Sequence, residues 1–191
     1  KRSGVSQRLP ISCLENVASN AERRRVTLGD EETIARIVDL YAAIPAITGK
    51  LELEYEGELT GSDTVARGLI RQAVGMVFHG HFGPTKFKPV TEWFEQGGTL
   101  KISDMETLLE LSEMFERVDG LMERTAPLGV SPSSSIGEGV AAAEFVLEGL
   151  CSVDKITRSE ERGYSAVERK SPQDLYRNYS VDPNRFKKPL N

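Results

Sequence analysis

Residues 62–82, SDTVARGLIRQAVGMVFHGHF, form the most hydrophobic segment of the chain. Apolar residues recur there at helical spacing and cover a broad face, which predicts a helix that is buried over much of its circumference. Those positions are Val65, Ala66, Leu69, Ile70, Ala73, Val74, Val77 and Phe78. Arg67, Arg71 and Gln72 interrupt the apolar run, so the segment does not read as a membrane span. We expect this helix to lie at the centre of the core.

A second helical pattern lies near the beginning of the sequence. It predicts a helix from Arg8 or Ser12 to Leu28, and the helix is expected to end at Gly29. Ser12 and Glu15 have the spacing of a capping box, in which each side chain binds the backbone N–H of the other residue. The sequence therefore places Arg8 in or next to the first turn of a long helix.

Between these two segments the pattern changes twice. Asp30 is expected to cap a short helix that ends near Pro45, because proline interrupts the hydrogen bonding of a helix interior. Apolar and acidic residues then alternate over 50–56, which predicts a half-buried strand. Carboxylates on one face of such a strand are typical of an exposed edge rather than a cation site.

The sequence after Phe82 continues with short helices. Residues 89–96 predict a helix that carries the only tryptophan, and residues 100–102 predict a brief extended segment. Ser103 and Glu106 have the spacing of another capping box, which would open the next helix. A short helix is expected at about 121–126.

The last third of the chain begins with a loop rich in Pro, Gly and Ser over 127–135. A helix at about 140–150 and a β-hairpin formed by 155–158 and 164–167 are predicted to follow it. We therefore expect a mainly α-helical fold with one or two small strands or hairpins. Its parts would be a helical domain over 1–130, a helix and hairpin packed on it over 131–170, and an extended tail over 171–191.

Composition and charge limit the functions open to the chain. It has 191 residues, 39% of them hydrophobic, and a formal net charge of −5, which suits a folded, water-soluble protein. Residues 155–191 carry nine Lys and Arg against five Asp and Glu, so the tail is mildly basic and the rest acidic. An acidic body disfavours nonspecific binding to duplex DNA. Cys13 and Cys151 lack metal-ligand spacing and are expected to be buried, reduced thiols of a cytoplasmic protein.

Arg8 is the strongest candidate for a functional residue. It follows a Gly-Val-Ser-Gln segment at the start of a helix, where a guanidinium can pair with phosphate oxygens and the helix dipole favours an anion. The alternative is that Arg8 pairs with an acid on the surface. No Gly-x-x-x-x-Gly-Lys-Ser/Thr loop is present, so a nucleotide that Arg8 contacts would have to be bound chiefly by other residues.

Two stretches carry a resemblance to a known family. Residues 3–25 (SGVSQRLPISCLENVASNAERRR) and 44–58 (IPAITGKLELEYEGE) resemble the region that follows the ATPase core in bacterial magnesium-chelatase-like proteins. These proteins belong to the branch of the AAA+ superfamily that includes the MoxR ATPases. The resemblance extends over most of the chain and is strongest up to about Phe82.

The resemblance implies a helical bundle of the AAA+ lid type, a role for three residues and several partners. In that branch the lid supplies a sensor-2 arginine within Gly-x-Ser-x-Arg, and Gly4, Ser6 and Arg8 match this motif. It implies that Arg8 reaches the γ-phosphate of ATP, and that ATP and Mg²⁺ are bound mainly by a core that this sequence lacks. A homo-oligomeric ring and a protein client are implied too, and the chain alone is expected to be inactive. Remodelling or chaperoning of the client is favoured over porphyrin metallation.

Other functional interpretations remain open. The helix and hairpin over 140–167 invite comparison with a winged-helix module that binds nucleic acid or protein, with Lys155, Arg158 and Arg162 as its cations. Asp154, Glu160 and Glu161 would repel a phosphate backbone, so a packing hairpin is favoured.

Further polar residues have simpler explanations. His79 and His81 diverge on a helix, which argues against a shared metal. For Arg23, Arg24 and Arg25 we expect a solvated face with one buried ion pair.

Overall fold

Helices dominate the part of the chain that the structure, a computed structural model, describes: residues 4–52, 61–83 and 85–167. The elements are β1 (Gly4–Val5), α1 (Leu9–Leu28), α2 (Ile37–Ala42), α3 (Ile44–Thr48), β2 (Leu51–Glu52), α4 (Ser62–Phe82), α5 (Lys88–Glu95), α6 (Leu108–Glu116), a 3-10 helix (Met122–Leu128), α7 (Ile136–Ser152), β3 (Ile156–Ser159) and β4 (Gly163–Ala166). The prediction of a mainly α-helical chain with small β elements is confirmed. No helix in the described ranges combines the length and apolar character needed to cross a bilayer.

The two ends of α1 are set by different residues. Gly29 closes the helix in the left-handed conformation with φ of 74°, as its position predicts. At the other end the helix already begins at Leu9, with Pro10 in its first turn, so Ser12 lies inside it. The prediction of a Ser12–Glu15 capping box is therefore wrong, because the turn that starts the helix forms upstream.

Capping boxes do form, but at other residues. Thr107 caps α6 with Glu110, and Ser135 caps α7 with Glu138. Ser103 donates to Glu106 with both its backbone N–H (2.7 Å) and its hydroxyl (2.8 Å), yet no helix follows directly. The capping residue of α6 is therefore Thr107, one turn after the predicted Ser103. Asp30 accepts from the backbone N–H of Leu108 (3.1 Å) and does not cap α2, so that prediction is also wrong.

The centre of the core is α7 and not α4. Twelve residues of α7 are buried, and the helix packs against α2, α4, α6 and the 3-10 helix. On α4 the buried residues form a single stripe of Ala66, Ile70, Val74, Phe78 and Phe82. The rest of the predicted apolar face is largely in solvent, since Leu69 is 43% and Val77 51% exposed. The prediction that α4 is the central helix is wrong because the partner helices cover only one side of it.

The buried apolar residues form two clusters that meet at one aromatic side chain. The larger cluster surrounds α7 and includes Phe78, Phe94 and Leu147. The smaller one lies between α3 and α4, and Leu9 and Cys13 of α1 pack against it. Phe145 packs against both clusters, so the two are continuous within the described residues.

Both sheets are two-stranded and antiparallel. Gly4 and Val5 pair with Glu52 and Leu51, which ties the segment before α1 to the chain after α3. The remainder of the predicted strand over 50–56, beyond Glu52, lies outside the described residues.

The predicted hairpin is confirmed as β3 and β4. Leu100 extends it by a reciprocal pair of hydrogen bonds with Tyr164 (3.0 and 2.8 Å). The tail predicted over 171–191 lies outside the described residues.

Two buried ion pairs hold α2 in place. Arg24 of α1 binds Asp39 at 2.9 Å, and Arg36, directly before α2, binds Glu144 of α7 at 2.6 Å. Arg23 and Arg25 are exposed, so the expected solvated face with one buried pair is confirmed. Four side chains that are costly to bury are thereby neutralised in pairs.

Candidate functional site

The predicted site residue Arg8 lies at the junction between β1 and α1. The backbone carbonyl of Ser6 accepts from Leu9 N–H (2.9 Å), and the Ser6 hydroxyl accepts from Arg8 N–H (3.3 Å). Arg8 is the N-cap residue, and its own carbonyl accepts from Ser12 N–H (3.0 Å). Ser6 and Arg8 therefore belong to one hydrogen-bonded turn, and Gly4 lies in β1 directly before it.

The Arg8 side chain is available to a ligand. It is exposed, and among residues 4–52, 61–83 and 85–167 it has no ion-pair partner. The first turn of α1 contains no acidic residue, and the side chain of its N-cap residue, Arg8, makes no capping hydrogen bond. An arginine and the positive end of a helix of 20 residues thus act in the same place, an arrangement that favours a phosphate oxygen.

The other predicted polar residues do not assemble into a site. His79 and His81 are both exposed on α4, and no group of His, Cys, Asp and Glu suited to a metal is found in the described ranges. Cys151 is buried but Cys13 only half-buried, so the expectation of two buried thiols fits one of them. Burial, reinforced by the negative charge of Glu148, raises the pKa of Cys151 to about 12. Its thiol is therefore protonated at neutral pH.

Sequence reasoning missed a buried carboxylate that connects three elements. Glu148 of α7 accepts hydrogen bonds from the hydroxyl of Tyr41 in α2 (2.5 Å), the hydroxyl of Tyr164 in β4 (2.8 Å) and Nη1 of Arg158 in β3 (3.1 Å). We call these four residues the Glu148 network. One signal existed, since Glu144 and Glu148 interrupt the apolar face of α7 four residues apart, which is unusual for a buried stripe.

Aromatic rings and a guanidinium complete the Glu148 network. The Arg158 guanidinium lies 5.0 Å from the centre of the Tyr41 ring and 5.2 Å from that of Tyr164. Burial, together with the negative charge of Glu148 and the hydrogen bonds to it, raises the pKa of both tyrosines. The phenols are therefore held as neutral donors to one carboxylate.

The raised tyrosine pKa values predict that alkaline conditions destabilise the fold. The unfolded chain releases these protons near pH 10 while the folded chain keeps them, so the free energy of unfolding falls as pH rises through and above that value. Urea titrations at pH 8, 9, 10 and 11 measure the fall. The Tyr164→Phe variant, which has one fewer raised phenol, should show a shallower decline. Equal free energies of unfolding at pH 9 and pH 11 would contradict the assignment.

Comparison of the chain with models of known protein families, with curated protein sequences and with solved structures finds no match. Support for the resemblance of the Gly4–Arg8 motif therefore comes from its sequence and its geometry.

Proposed function

We propose that this chain is the lid and C-terminal extension of a ring-forming AAA+ ATPase of the magnesium-chelatase-like and MoxR branch. The observation that carries the proposal is the exposed Arg8 at the start of α1, within a segment that matches the Gly-x-Ser-x-Arg motif of a sensor-2 arginine. Arg8 differs in this respect from Arg24 and Arg36, whose guanidinium groups are occupied by internal ion pairs.

The geometry fits a phosphate group. Arg8 offers a planar set of N–H donors, and the first turn of α1, which contains no acidic residue, adds a positive field. In the proposed assembly an ATPase core would bind ATP and Mg²⁺, whose role is to neutralise charge on the phosphates. Arg8 would then contact the γ-phosphate, and the Ser6 hydroxyl would keep the turn that presents Arg8 in place.

The remaining parts of the proposal follow from that role. The lid would move with the nucleotide state of the core and transmit that movement to a protein client, in a homo-oligomeric ring in the cytoplasm. Remodelling or chaperoning of the client is the activity we favour, with magnesium insertion into a porphyrin as the narrower possibility. The isolated chain is expected to hydrolyse no ATP, because the residues that bind and cleave the nucleotide would belong to the core.

ATP hydrolysis by the intact ATPase that contains this chain tests the proposal. Arg8→Ala is expected to lower turnover at least about tenfold, since loss of a charge-assisted contact to the γ-phosphate acts on the transition state. The matched control is Arg23→Ala, which removes an exposed arginine about 20 Å further along the same helix. Its turnover should equal that of the wild type.

Light scattering on the same samples separates a loss of chemistry from a loss of assembly. Reduced turnover with an unchanged oligomer supports the sensor role. Unchanged turnover in Arg8→Ala would refute it and leave Arg8 as a surface charge.

The winged-helix alternative receives less support from the geometry. Arg158, one of its three cations, binds Glu148 and lies against two tyrosine rings. The hairpin itself packs onto α5 and α7. These contacts favour a packing role for the hairpin, and we make no nucleic-acid proposal.

A further inference from the structure

A cleft of about 720 Å³ lies between α2, α4, α7 and the β3–β4 hairpin. Its volume is that of a site for a small organic molecule. The Glu148 network forms part of its wall, and Arg67, Arg71 and Lys101 line it as well. The cleft contains neither Arg8 nor the β1–α1 turn, so it is independent of the proposed function.

Two guanidinium groups of the cleft are fixed by internal bonds. Arg71 uses Nη2 to bind the carbonyl of Cys151 (2.8 Å) and the carboxylate of Asp154 (2.6 Å). Arg158 uses Nη1 to bind Glu148. A guanidinium has five N–H groups, and the remaining ones of these two arginines have no acceptor within the described residues. Both groups thus have internal partners and keep further donors for a ligand.

Two further cations of the cleft have no counter-ion among the residues that the structure describes. Arg67 lies over the Tyr41 ring, 5.7 Å from its centre, and both Arg67 and Lys101 are exposed. Neither forms an ion pair within the described ranges. The third carboxylate of the lining is Glu160, which is also exposed, while Glu148 and Asp154 already have cationic partners. Cations therefore exceed anions in the lining.

The start of α4 contributes a hydroxyl to the cleft. Thr64, in the first turn of this helix of 21 residues, lines the cleft. Asp63 lies in the same turn and offsets the positive end of the helix dipole, so the positive charge of the cleft comes from its side chains.

We propose that this cleft binds a small phosphorylated molecule, with its phosphoryl group held by Arg67 and Lys101. A phosphate monoester carries nearly two negative charges at neutral pH and matches two unpaired cations, whereas a carboxylate matches only one. The cleft is too large for a phosphate group alone, so the organic part of the ligand would occupy the space beside Tyr41.

Calorimetric titration of the chain with phenyl phosphate at pH 7.5 and constant ionic strength tests this proposal. We expect saturable binding at one site. Benzoate, which has the same ring with a single charge, separates phosphoryl from carboxylate chemistry and should bind at least about tenfold more weakly. No saturable binding of phenyl phosphate, or equal affinity for the two probes, would overturn the proposal.

Substitutions in the lining of the cleft test whether phenyl phosphate binds there. The double variant Arg67→Ala/Lys101→Ala is expected to bind phenyl phosphate at least about tenfold more weakly. The control Lys86→Ala/Arg117→Ala removes the same two charges from exposed positions outside the cleft and should stay within about twofold of the wild type.

Equal losses in the two double variants would show nonspecific attraction and overturn the assignment. Circular dichroism confirms that each variant is folded, and Arg67→Gln/Lys101→Gln replaces the alanine pair if it is not. Arg8→Ala should bind phenyl phosphate like the wild type, which keeps this site separate from the proposed ATP contact.

Discussion

Replacement of Glu144 by alanine is expected to lower the free energy of unfolding by about 3–5 kcal/mol. The side chain is 1% exposed and accepts from Nε (2.9 Å) and Nη2 (2.6 Å) of Arg36 and from the backbone N–H of Ile37 (3.0 Å). Its removal leaves the Arg36 charge buried, and one Arg36 nitrogen, Nη1, already lacks an acceptor within the described part of the chain. The cost is therefore that of an uncompensated buried cation rather than of one lost bond.

Urea unfolding followed by circular dichroism measures this effect. Glu113→Ala is the matched control, because Glu113 is an exposed helical glutamate and should change the free energy of unfolding by no more than about 0.5 kcal/mol. The double variant Arg36→Met/Glu144→Leu should be more stable than Glu144→Ala, since it removes both buried charges. A loss below about 1 kcal/mol in Glu144→Ala would show that Arg36 finds another partner.

Gly149→Ala is expected to cost about 1–3 kcal/mol although alanine favours a helix more than glycine does. A Cβ atom at this position of α7 would lie 2.0 Å from Cδ2 of Phe78. The Phe78 ring cannot simply move away, because it packs against the rings of Phe82 (4.7 Å between centres) and Phe87 (5.3 Å). The clash therefore exceeds the gain in helix propensity, which is about 1 kcal/mol.

Gly68→Ala is the control and is expected to change the free energy of unfolding in the opposite direction. Gly68 lies in the interior of α4, and a Cβ there would meet no atom within 4 Å. The variant should raise the free energy of unfolding by about 0.5–1 kcal/mol. Thermal and urea unfolding of the two variants side by side measure the difference. A stabilised Gly149→Ala would show that α4 and α7 separate easily.

The helix ends were predictable where local chemistry decides them. Gly29 and Gly83 end α1 and α4 where the sequence places them, because both residues adopt positive φ. The capping residue of α6 was not predictable with the same certainty, since Ser103-x-x-Glu106 and Thr107-x-x-Glu110 are consecutive copies of one pattern. Only the packing of the helix decides between them.

The remaining differences between prediction and structure come from contacts between residues that are far apart in the sequence. The apolar face of α4 is wider than the surface that its neighbours cover, so periodicity alone overestimated its burial. The turn that contains Arg8 was predictable because its residues are adjacent in sequence. The Glu148 network was not, because Tyr41 and Glu148 are separated by 107 positions. The exposed fraction of a glutamate in an apolar helix depends on its hydrogen-bonding partners. The local sequence pattern does not identify these residues.

The position of Phe145 has a mechanical consequence for α1. Leu9 and Cys13 rest on the cluster that shares Phe145 with the main core, and the Arg24–Asp39 and Arg36–Glu144 pairs join α1, α2 and α7 in series. An ion pair breaks if one helix slides past the next, because it depends on the positions of specific atoms. The two pairs therefore resist such sliding more than apolar contacts alone would. We therefore expect a force applied at the Arg8 end of α1 to move α1, α2 and α7 together.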